Sequence, residues 1–299
     1  MDALTRRGFL GAITAASAGS VLAGKGRRVK IGAISYSYRA MPHLPFAMID
    51  YAAASGVDSL ELMGRDAEVD AGAPDPYTRT AEGRKALNEW RLRTGPEVFK
   101  SVAAKYAARG IGVHVVKFGE ILDLGMSDGL MEYFFGVAKM FGAGAVTCEI
   151  PKPVVWERCG KRLASWAARF GIKVAFHNHM QIDAKTYDGP LLGYGQGLAI
   201  NYDIAQYIAA NDDDPVAFVE KYSDRIFSIH VKDGTSRAKG GRLTGFGEGD
   251  VPLERLLKTV YGVNSSIACD VELEYPIPKD SDAVKETAKC VAYCRRFLV

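Results

Sequence analysis

Short runs rich in β-branched and apolar residues alternate with amphipathic segments along most of this chain, and that alternation most restricts its fold. Eight such runs predict strands. They are Lys30–Tyr38, Val57–Met63, Gly112–Phe118, Ala145–Ile150, Lys173–His177, Leu198–Asp203, Arg225–Val231 and Ile267–Leu273. Helical patterns between them, such as 96–110, 129–143 and 156–171, end at Gly or Gly-Ala, where helices commonly stop.

Strands that alternate with helices predict βαβ units and a parallel sheet. Eight such units in residues 29–299 fit an α/β fold with a single domain, the (β/α)8 TIM barrel. An open doubly wound sheet is less favoured, because no GxGxxG motif opens the first helix. Residues 65–95 are too long for an ordinary βα loop, so they predict a lid-like insertion over the barrel mouth.

Residues 1–24 predict an export signal rather than part of the fold. Arg6 and Arg7 precede a short apolar stretch rich in small residues, and adjacent arginines followed by Gly-Phe-Leu resemble a twin-arginine signal peptide. This pattern predicts the twin-arginine export machinery as a partner and the periplasm as the location. The alternative is a chance arginine pair before an amphipathic helix.

Charge argues against a nucleic-acid partner. The chain carries a formal net charge of +3, but residues 1–28 hold five basic side chains against Asp2, so the remainder carries −1. No basic footprint is left after that subtraction. The five cysteines are odd in number and contain no CxxC pair, so they predict buried free thiols.

Charged side chains gather at the carboxyl ends of the predicted strands, where the active sites of α/β barrels lie. Taken singly, each has an ordinary explanation, since an aspartate at a strand end is often a helix N-cap. From the second strand to the eighth, they are Glu61, Lys117, Glu149, His177 with His179, Asp203, His230 with Lys232, and Glu272 with Glu274.

Taken together, these strand ends predict a metal site. Residues i and i+2 face the same side of a strand. Carboxylates and imidazoles on five successive strands would therefore converge on one ring, at a high cost without a counter-charge. One divalent cation removes that cost, and mixed oxygen and nitrogen ligands suit manganese, which we prefer, or cobalt, magnesium, zinc or iron. The ring would contain Glu149, His177, Asp203, His230 and Glu272, whereas Cys148 should point away from it.

Several segments of the chain, in their order, resemble the xylose-isomerase-like TIM barrels, a superfamily of sugar (phosphate) isomerases, epimerases and dehydratases. The histidine pair near residue 177 followed by Met is similar to the inosose dehydratase branch. The resemblance covers nearly all of residues 29–298, and its most specific segments are "GIKVAFHNHM", "YDIAQY", "RIFSIHVKDG", "GFGEGDVPLERLL" and "VELEYP".

The resemblance implies one divalent ion held by Asp203, His230, Glu272 and a fourth ligand. Relatives place a glutamate on the strand where this chain has His177, so either His177 binds as an imidazole or Glu149 supplies an oxygen.

The resemblance also implies roles around the ion. His179 matches an acid/base position of some relatives, Lys232 matches a substrate contact, and Gln206 stands where some relatives have a histidine. The candidate catalytic residues are His179, Glu149, Lys232 and Glu274, with Glu149 or Glu274 opposing His179 in an epimerisation. Residues 245–251 predict either a loop that contacts the substrate or a turn that leads into the next helix. Candidate substrate contacts are Glu61, Lys117, Asn178, Gln206 and Arg242.

We therefore expect a divalent-metal-dependent isomerase or epimerase that acts on a free sugar or keto-sugar through an enediolate. One alternative is a metal-dependent dehydratase or lyase acting on a keto-sugar, keto-glycoside or inosose. Another is a non-catalytic sugar-binding barrel. A phosphodiesterase for damaged DNA uses a related barrel, but the near-neutral charge argues against that reaction. The sequence leaves open whether the chain forms a homo-oligomer.

Overall fold

The computed structural model describes residues 29–298, and in that range eight parallel strands close into a barrel. A two-stranded antiparallel hairpin follows the seventh barrel strand, and the last barrel strand pairs with the first. The predicted single-domain TIM barrel is confirmed. The strands are β1 (Lys30–Ile34), β2 (Ser59–Met63), β3 (Gly112–Lys117), β4 (Ala145–Glu149), β5 (Lys173–His177), β6 (Leu198–Asp203), β7 (Ile226–Val231), β8 (Asp233–Gly234) and β9 (Leu243–Thr244) of the hairpin, and β10 (Ala268–Val271).

Helices cover the outside of the barrel, and all three predicted helical patterns are confirmed with small shifts at their ends. None of the helices within residues 29–298 has the length and apolar character needed to cross a bilayer. The α-helices are α1 (Ala47–Ser55), α2 (Gly64–Asp70), α3 (Ala81–Thr94), α4 (Phe99–Ala108), α5 (Asp128–Met140), α6 (Trp156–Phe170), α7 (Ile204–Ala210), α8 (Pro215–Tyr222), α9 (Leu253–Asn264) and α10 (Ala283–Arg295). The 3-10 segments are Ser35–Tyr38, Pro96–Val98, Gly119–Leu122, Pro153–Val155, Thr186–Asp188, Leu191–Tyr194 and Arg237–Lys239.

The first strand ends earlier than predicted, because Ser35–Tyr38 forms a 3-10 turn. The hydroxyl of Ser35 accepts a hydrogen bond from the backbone N–H of Met63 at 2.9 Å, and the hydroxyl of Ser37 accepts one from Leu273 N–H at 3.0 Å. These hydroxyls bond the last residue of β2 and the chain just after β10 in place of a backbone ladder. The run of β-formers could not reveal that replacement.

The interior of the barrel changes from apolar to charged along its axis. A small apolar cluster lies deep inside and comprises Val115, Ala145, Ala175 and Ala199. Because alternate residues of a strand share a face, Thr147 and Asn201 follow toward the carboxyl ends, and Glu149 and Asp203 follow in turn. The main hydrophobic core lies elsewhere in the fold, and all five cysteines are buried and free, as predicted.

The insertion 65–95 is largely helical. Arg91 of α3 donates to Glu68 of α2 from Nε at 2.7 Å and from Nη2 at 3.0 Å, and both side chains are buried. Tyr133 of α5 donates to the same glutamate at 3.1 Å. Tyr77, between α2 and α3, contacts Asp66 and His43. These contacts tether the insertion to the barrel, and its movement as a lid stays a prediction.

We expect Arg91→Ala to lower the free energy of unfolding by about 3–5 kcal/mol, because it leaves Glu68 buried without its partner. Urea denaturation would measure the loss. Arg93→Ala, an exposed arginine on the same helix, is the control and should change stability by less than about 0.5 kcal/mol. Equal effects of the two substitutions would show that the buried pair does not hold the insertion.

Candidate metal centre

Four buried side chains from neighbouring strands meet inside the carboxyl end of the barrel. They are His177 at the end of β5, Asp203 at the end of β6, His230 in β7 and Glu272 directly after β10. One candidate ligand atom from each lies within 4.8 Å of the others. Strand register explains the meeting, because Asp203 pairs with His230, and Glu272 lies two residues after the partner of His230 on β10.

His230 is fully buried between two carboxylates. Its Nδ1 lies 2.7 Å from Oε2 of Glu272, and its Nε2 lies 2.9 Å from Oε2 of Glu61. Burial disfavours the charged imidazolium, but Glu61 and Glu272 outweigh it and raise the pKa of His230 to about 10. The same contacts lower the pKa of Glu61 and, together with Lys232, that of Glu272, although burial opposes both shifts.

His177 has the opposite electrostatic setting. Burial, together with the neighbouring cations Lys117 and His230, lowers the pKa of His177 well below its usual value. Its Nδ1 lies 2.7 Å from Oδ1 of Asn201. The ring is therefore a neutral imidazole, which is the form that binds metal ions.

The donor set fits a divalent cation. Two imidazoles and two carboxylates provide the mixed nitrogen and oxygen ligands of manganese, iron, cobalt or zinc sites. Oδ1 of Asp203 accepts from the backbone N–H of Gln206 at 3.0 Å and caps α7. Oδ2 of the same residue is buried and accepts no well-formed hydrogen bond, although an ammonium lies close to it. Asp203 is thus both a helix cap and an available ligand.

Lys232 supplies that ammonium and is almost completely buried. Its Nζ lies 2.7 Å from Oδ2 of Asp203, 2.9 Å from Oε2 of Glu272 and 2.6 Å from Oε2 of Glu274. Burial disfavours its charge, but these carboxylates outweigh burial and raise the pKa of Lys232. An ion in the cluster would share two carboxylates with this lysine.

A second group lies beside the first, further toward the barrel mouth. Glu149 lies 3.5 Å from Nδ1 of His179, and Lys117 lies 3.0 Å from the other oxygen of Glu149. Glu149, His177 and His179 also have candidate ligand atoms within 4.8 Å of one another. His177 has one nitrogen left after its contact with Asn201, so it can serve one of the two groups at a time. The geometry favours His177 over Glu149 as the fourth member of the buried cluster.

The remaining predicted residues differ in exposure. Glu61 and Asn178 are fully buried. The amide of Asn178 donates to the carbonyls of His179 and Asp203 and accepts from Asp203 N–H, so it ties the ends of β5 and β6 together. Gln206 is half-buried at the start of α7, and Arg242 is exposed in the loop of the β8–β9 hairpin. Their contacts with a substrate stay predictions.

Sequence reasoning missed three polar residues that organise the site: Thr147, Asn201 and Asp233. Asn201 and Thr147 lie two residues before Asp203 and Glu149, so strand alternation could have identified them as inward-facing. Asp233 accepts backbone hydrogen bonds from Gly247 at 2.7 Å and Gly249 at 3.1 Å. The glycine-rich segment 245–251 therefore folds around this carboxylate, and Gly249 leaves no room for a Cβ atom beside it.

The comparison with protein families agrees with this geometry. Residues 49–294 match the xylose isomerase-like TIM barrel family. This chain belongs to that family. A curated relative, the rhizopine catabolism protein MocC of Rhizobium meliloti, is 30% identical over 115 residues, which cover 36% of this chain and 34% of the relative. The match therefore spans about a third of that relative's length.

Solved structures share the fold at low sequence identity. The probable 3-DHS dehydratase AsbF of Bacillus anthracis has a TM-score of 0.63 at 15% identity, covering 88% of this chain and 98% of that one. D-psicose 3-epimerase of Clostridium cellulolyticum H10, solved with D-tagatose, has a TM-score of 0.61 at 12% identity, covering 90% and 99%. The IolI protein with a bound zinc atom has a TM-score of 0.59 at 15% identity, covering 90% and 99%.

We expect His177→Ala, Asp203→Ala and His230→Ala each to weaken Mn²⁺ binding by more than about 100-fold. Loss of a residue that only supports a ligand costs up to about 100-fold, and loss of a ligand itself should cost more. Each removes a ligand. Glu149→Gln should keep the affinity, because Glu149 lies outside the buried cluster. Isothermal titration calorimetry of the purified metal-free chain would measure both, with thermal melts to confirm folding. Loss of binding in Glu149→Gln together with retention in His177→Ala would reverse the choice of fourth ligand.

Proposed function

We propose that this chain is a divalent-metal-dependent sugar isomerase or epimerase that acts on a free sugar or keto-sugar. One observation carries the proposal: titratable groups stand on opposite sides of the buried cluster. Glu149, with His179 beside it, ends β4, and Glu274 follows β10. In the strand order of this barrel β4 and β10 are diametrically opposed. Proton removal on one face of a substrate and return on the other needs that arrangement.

His177, Asp203, His230 and Glu272 would hold the ion. When bound, a divalent ion polarises a substrate carbonyl and so acidifies the neighbouring C–H bond. The zinc atom of the structurally similar IolI protein supports a metal in a barrel of this kind. The choice of manganese as the resident ion belongs to the proposal.

His179 is the best-placed group for proton transfer among the residues described. Its side chain is 56% exposed, whereas that of Lys232 is 3% exposed, so a substrate entering the mouth reaches the imidazole first. The carboxylate of Glu149 lies 3.5 Å from Nδ1 of His179 and can orient the ring. Glu274 is 22% exposed and would serve from the opposite side, while Lys232 holds it in place.

A metal-dependent dehydratase or lyase is the second candidate. Elimination needs one base and one acid for the departing oxygen, and the exposed His179 could fill both roles in turn. The structural similarity to a probable 3-DHS dehydratase supports keeping this reaction class, with a keto-sugar, keto-glycoside or inosose as substrate.

Solvent exchange tests the proposal directly. In D2O with Mn²⁺, the protein should place deuterium on the carbon next to the carbonyl of a keto-sugar substrate, detected by NMR. EDTA should stop the exchange, and His179→Gln should slow it by about 10²- to 10⁴-fold.

In a two-base epimerisation, Glu274→Gln should block the inverted product while exchange on the His179 side continues. An unsaturated product would instead identify the lyase. If none of a panel of keto-sugars and keto-glycosides showed exchange or elimination, both enzymatic proposals would be contradicted, and the non-catalytic sugar-binding barrel would be the remaining alternative.

The proposed location is the periplasm, reached through the twin-arginine pathway. It rests on Arg6 and Arg7, which lie outside the residues that the structure describes. Export of a folded, metal-loaded enzyme would also favour an unphosphorylated substrate.

We expect the double substitution Arg6→Lys/Arg7→Lys to keep the protein in the cytoplasm, measured by cell fractionation of a host that has the twin-arginine pathway. Arg27→Lys/Arg28→Lys is the matched control and should be exported normally, because these arginines lie after the predicted signal. Continued export of the first variant would contradict the proposed pathway.

A further inference from the structure

We propose that Glu61 is a positioning residue that determines which nitrogen of His177 and of His230 faces the metal. This inference rests on the proposed function, because it assumes that the buried cluster binds an ion. Glu61 lies in β2, diametrically opposite β6 in the barrel, and is fully buried. Its carboxylate and the amide of Asn201 form a polar layer directly beneath the cluster.

The effect on His230 is direct. Oε2 of Glu61 lies 2.9 Å from Nε2 of His230. An ionised carboxylate can accept hydrogen bonds but cannot donate them, so Nε2 has to carry a hydrogen. Nδ1 faces Glu272 and also donates to it, but Glu272 belongs to the cluster, so an ion bound there would replace the Nδ1 hydrogen, whereas Glu61 lies outside the cluster and keeps the Nε2 hydrogen. Nδ1 is therefore the nitrogen that Glu61 leaves for the ion.

The effect on His177 passes through Asn201. The Nδ2 atom of Asn201 donates to Oε2 of Glu61 at 2.9 Å and to Oγ of Ser228 at 2.7 Å. Because the carboxylate accepts, the NH₂ group of Asn201 has to face Glu61, and its Oδ1 has to face His177. Oδ1 then accepts from Nδ1 of His177 at 2.7 Å, which leaves Nε2 of that ring for the ion.

Glu61 is itself fixed by a third donor. The hydroxyl of Thr147 donates to its Oε1 at 2.6 Å. The carboxylate thus receives hydrogen bonds from Thr147, Asn201 and His230 and has a single orientation that satisfies all of them. Partners of this kind fix the orientation of metal-binding histidines and raise their basicity. Glutamine in its place is neutral and can present either an oxygen or an NH₂ group, so both imidazoles lose their fixed hydrogen positions.

Metal affinity of a matched pair of variants tests the inference. Glu61→Gln should weaken Mn²⁺ binding by about 10- to 100-fold in isothermal titration calorimetry. Glu68→Gln makes the same chemical change in another buried glutamate, which pairs with Arg91 outside the barrel interior, and should leave the affinity unchanged. Equal affinities of Glu61→Gln and wild type would overturn the inference. A buried glutamate that only supports folding would lower the stability when replaced, as in Glu68→Gln, without changing the affinity for the metal.

A measurement on the wild type covers the case in which Glu61→Gln does not fold. In the Zn²⁺-loaded, ¹⁵N-labelled protein, long-range ¹H–¹⁵N correlations should show the metal on Nδ1 of His230 and on Nε2 of His177, with hydrogens on the other two nitrogens. The reverse pattern on either ring would overturn the inference. Failure of the wild type to bind either Mn²⁺ or Zn²⁺ would overturn the proposed function instead, so the two failures are distinguishable.

Discussion

Charge compensation inside the closed barrel is the interaction on which the site depends. Glu61 and Asp203 are completely buried, and Glu272 is 6% exposed. An unpaired carboxylate buried in this way would destabilise the folded state by roughly several kcal/mol, because it loses its hydration. His230 and Lys232 lie between them and offset that cost. Because each of these two side chains contacts more than one carboxylate, removing one of them leaves more than one buried charge without its partner.

Strand periodicity was sufficient to predict the fold and the inner half of the site. Lys173–His177 and Leu198–Asp203 have the predicted bounds, and side-chain alternation placed His177, Asp203 and His230 on one inward face. The choice between His177 and Glu149 needed coordinates, because both strand ends point inward. The choice depends on how deep in the barrel the ligand atoms of each side chain lie, and a pattern of residue types does not give that depth.

Other features depend on contacts between distant segments and were beyond sequence reasoning. Ser35 and Ser37 replace backbone pairing with hydroxyl groups, which shortens the first strand. The two helices of the insertion 65–95 are joined by the buried pair of Arg91 and Glu68, which sequence spacing does not reveal. Glu61 was predicted to contact substrate from its place at a strand end, whereas its contacts with His230 and Asn201 lie beneath the cluster. Such partners follow from barrel closure, which brings the second and seventh strands into reach of each other.

We propose that the buried cluster, and not the neighbouring group at the mouth, binds one divalent ion. Anomalous X-ray diffraction from crystals soaked in Mn²⁺ tests that claim most directly. We predict one anomalous peak within coordination distance of His177, Asp203, His230 and Glu272. The absence of a peak there, or a peak held by Glu149 and His179 without Asp203 and His230, would contradict the account.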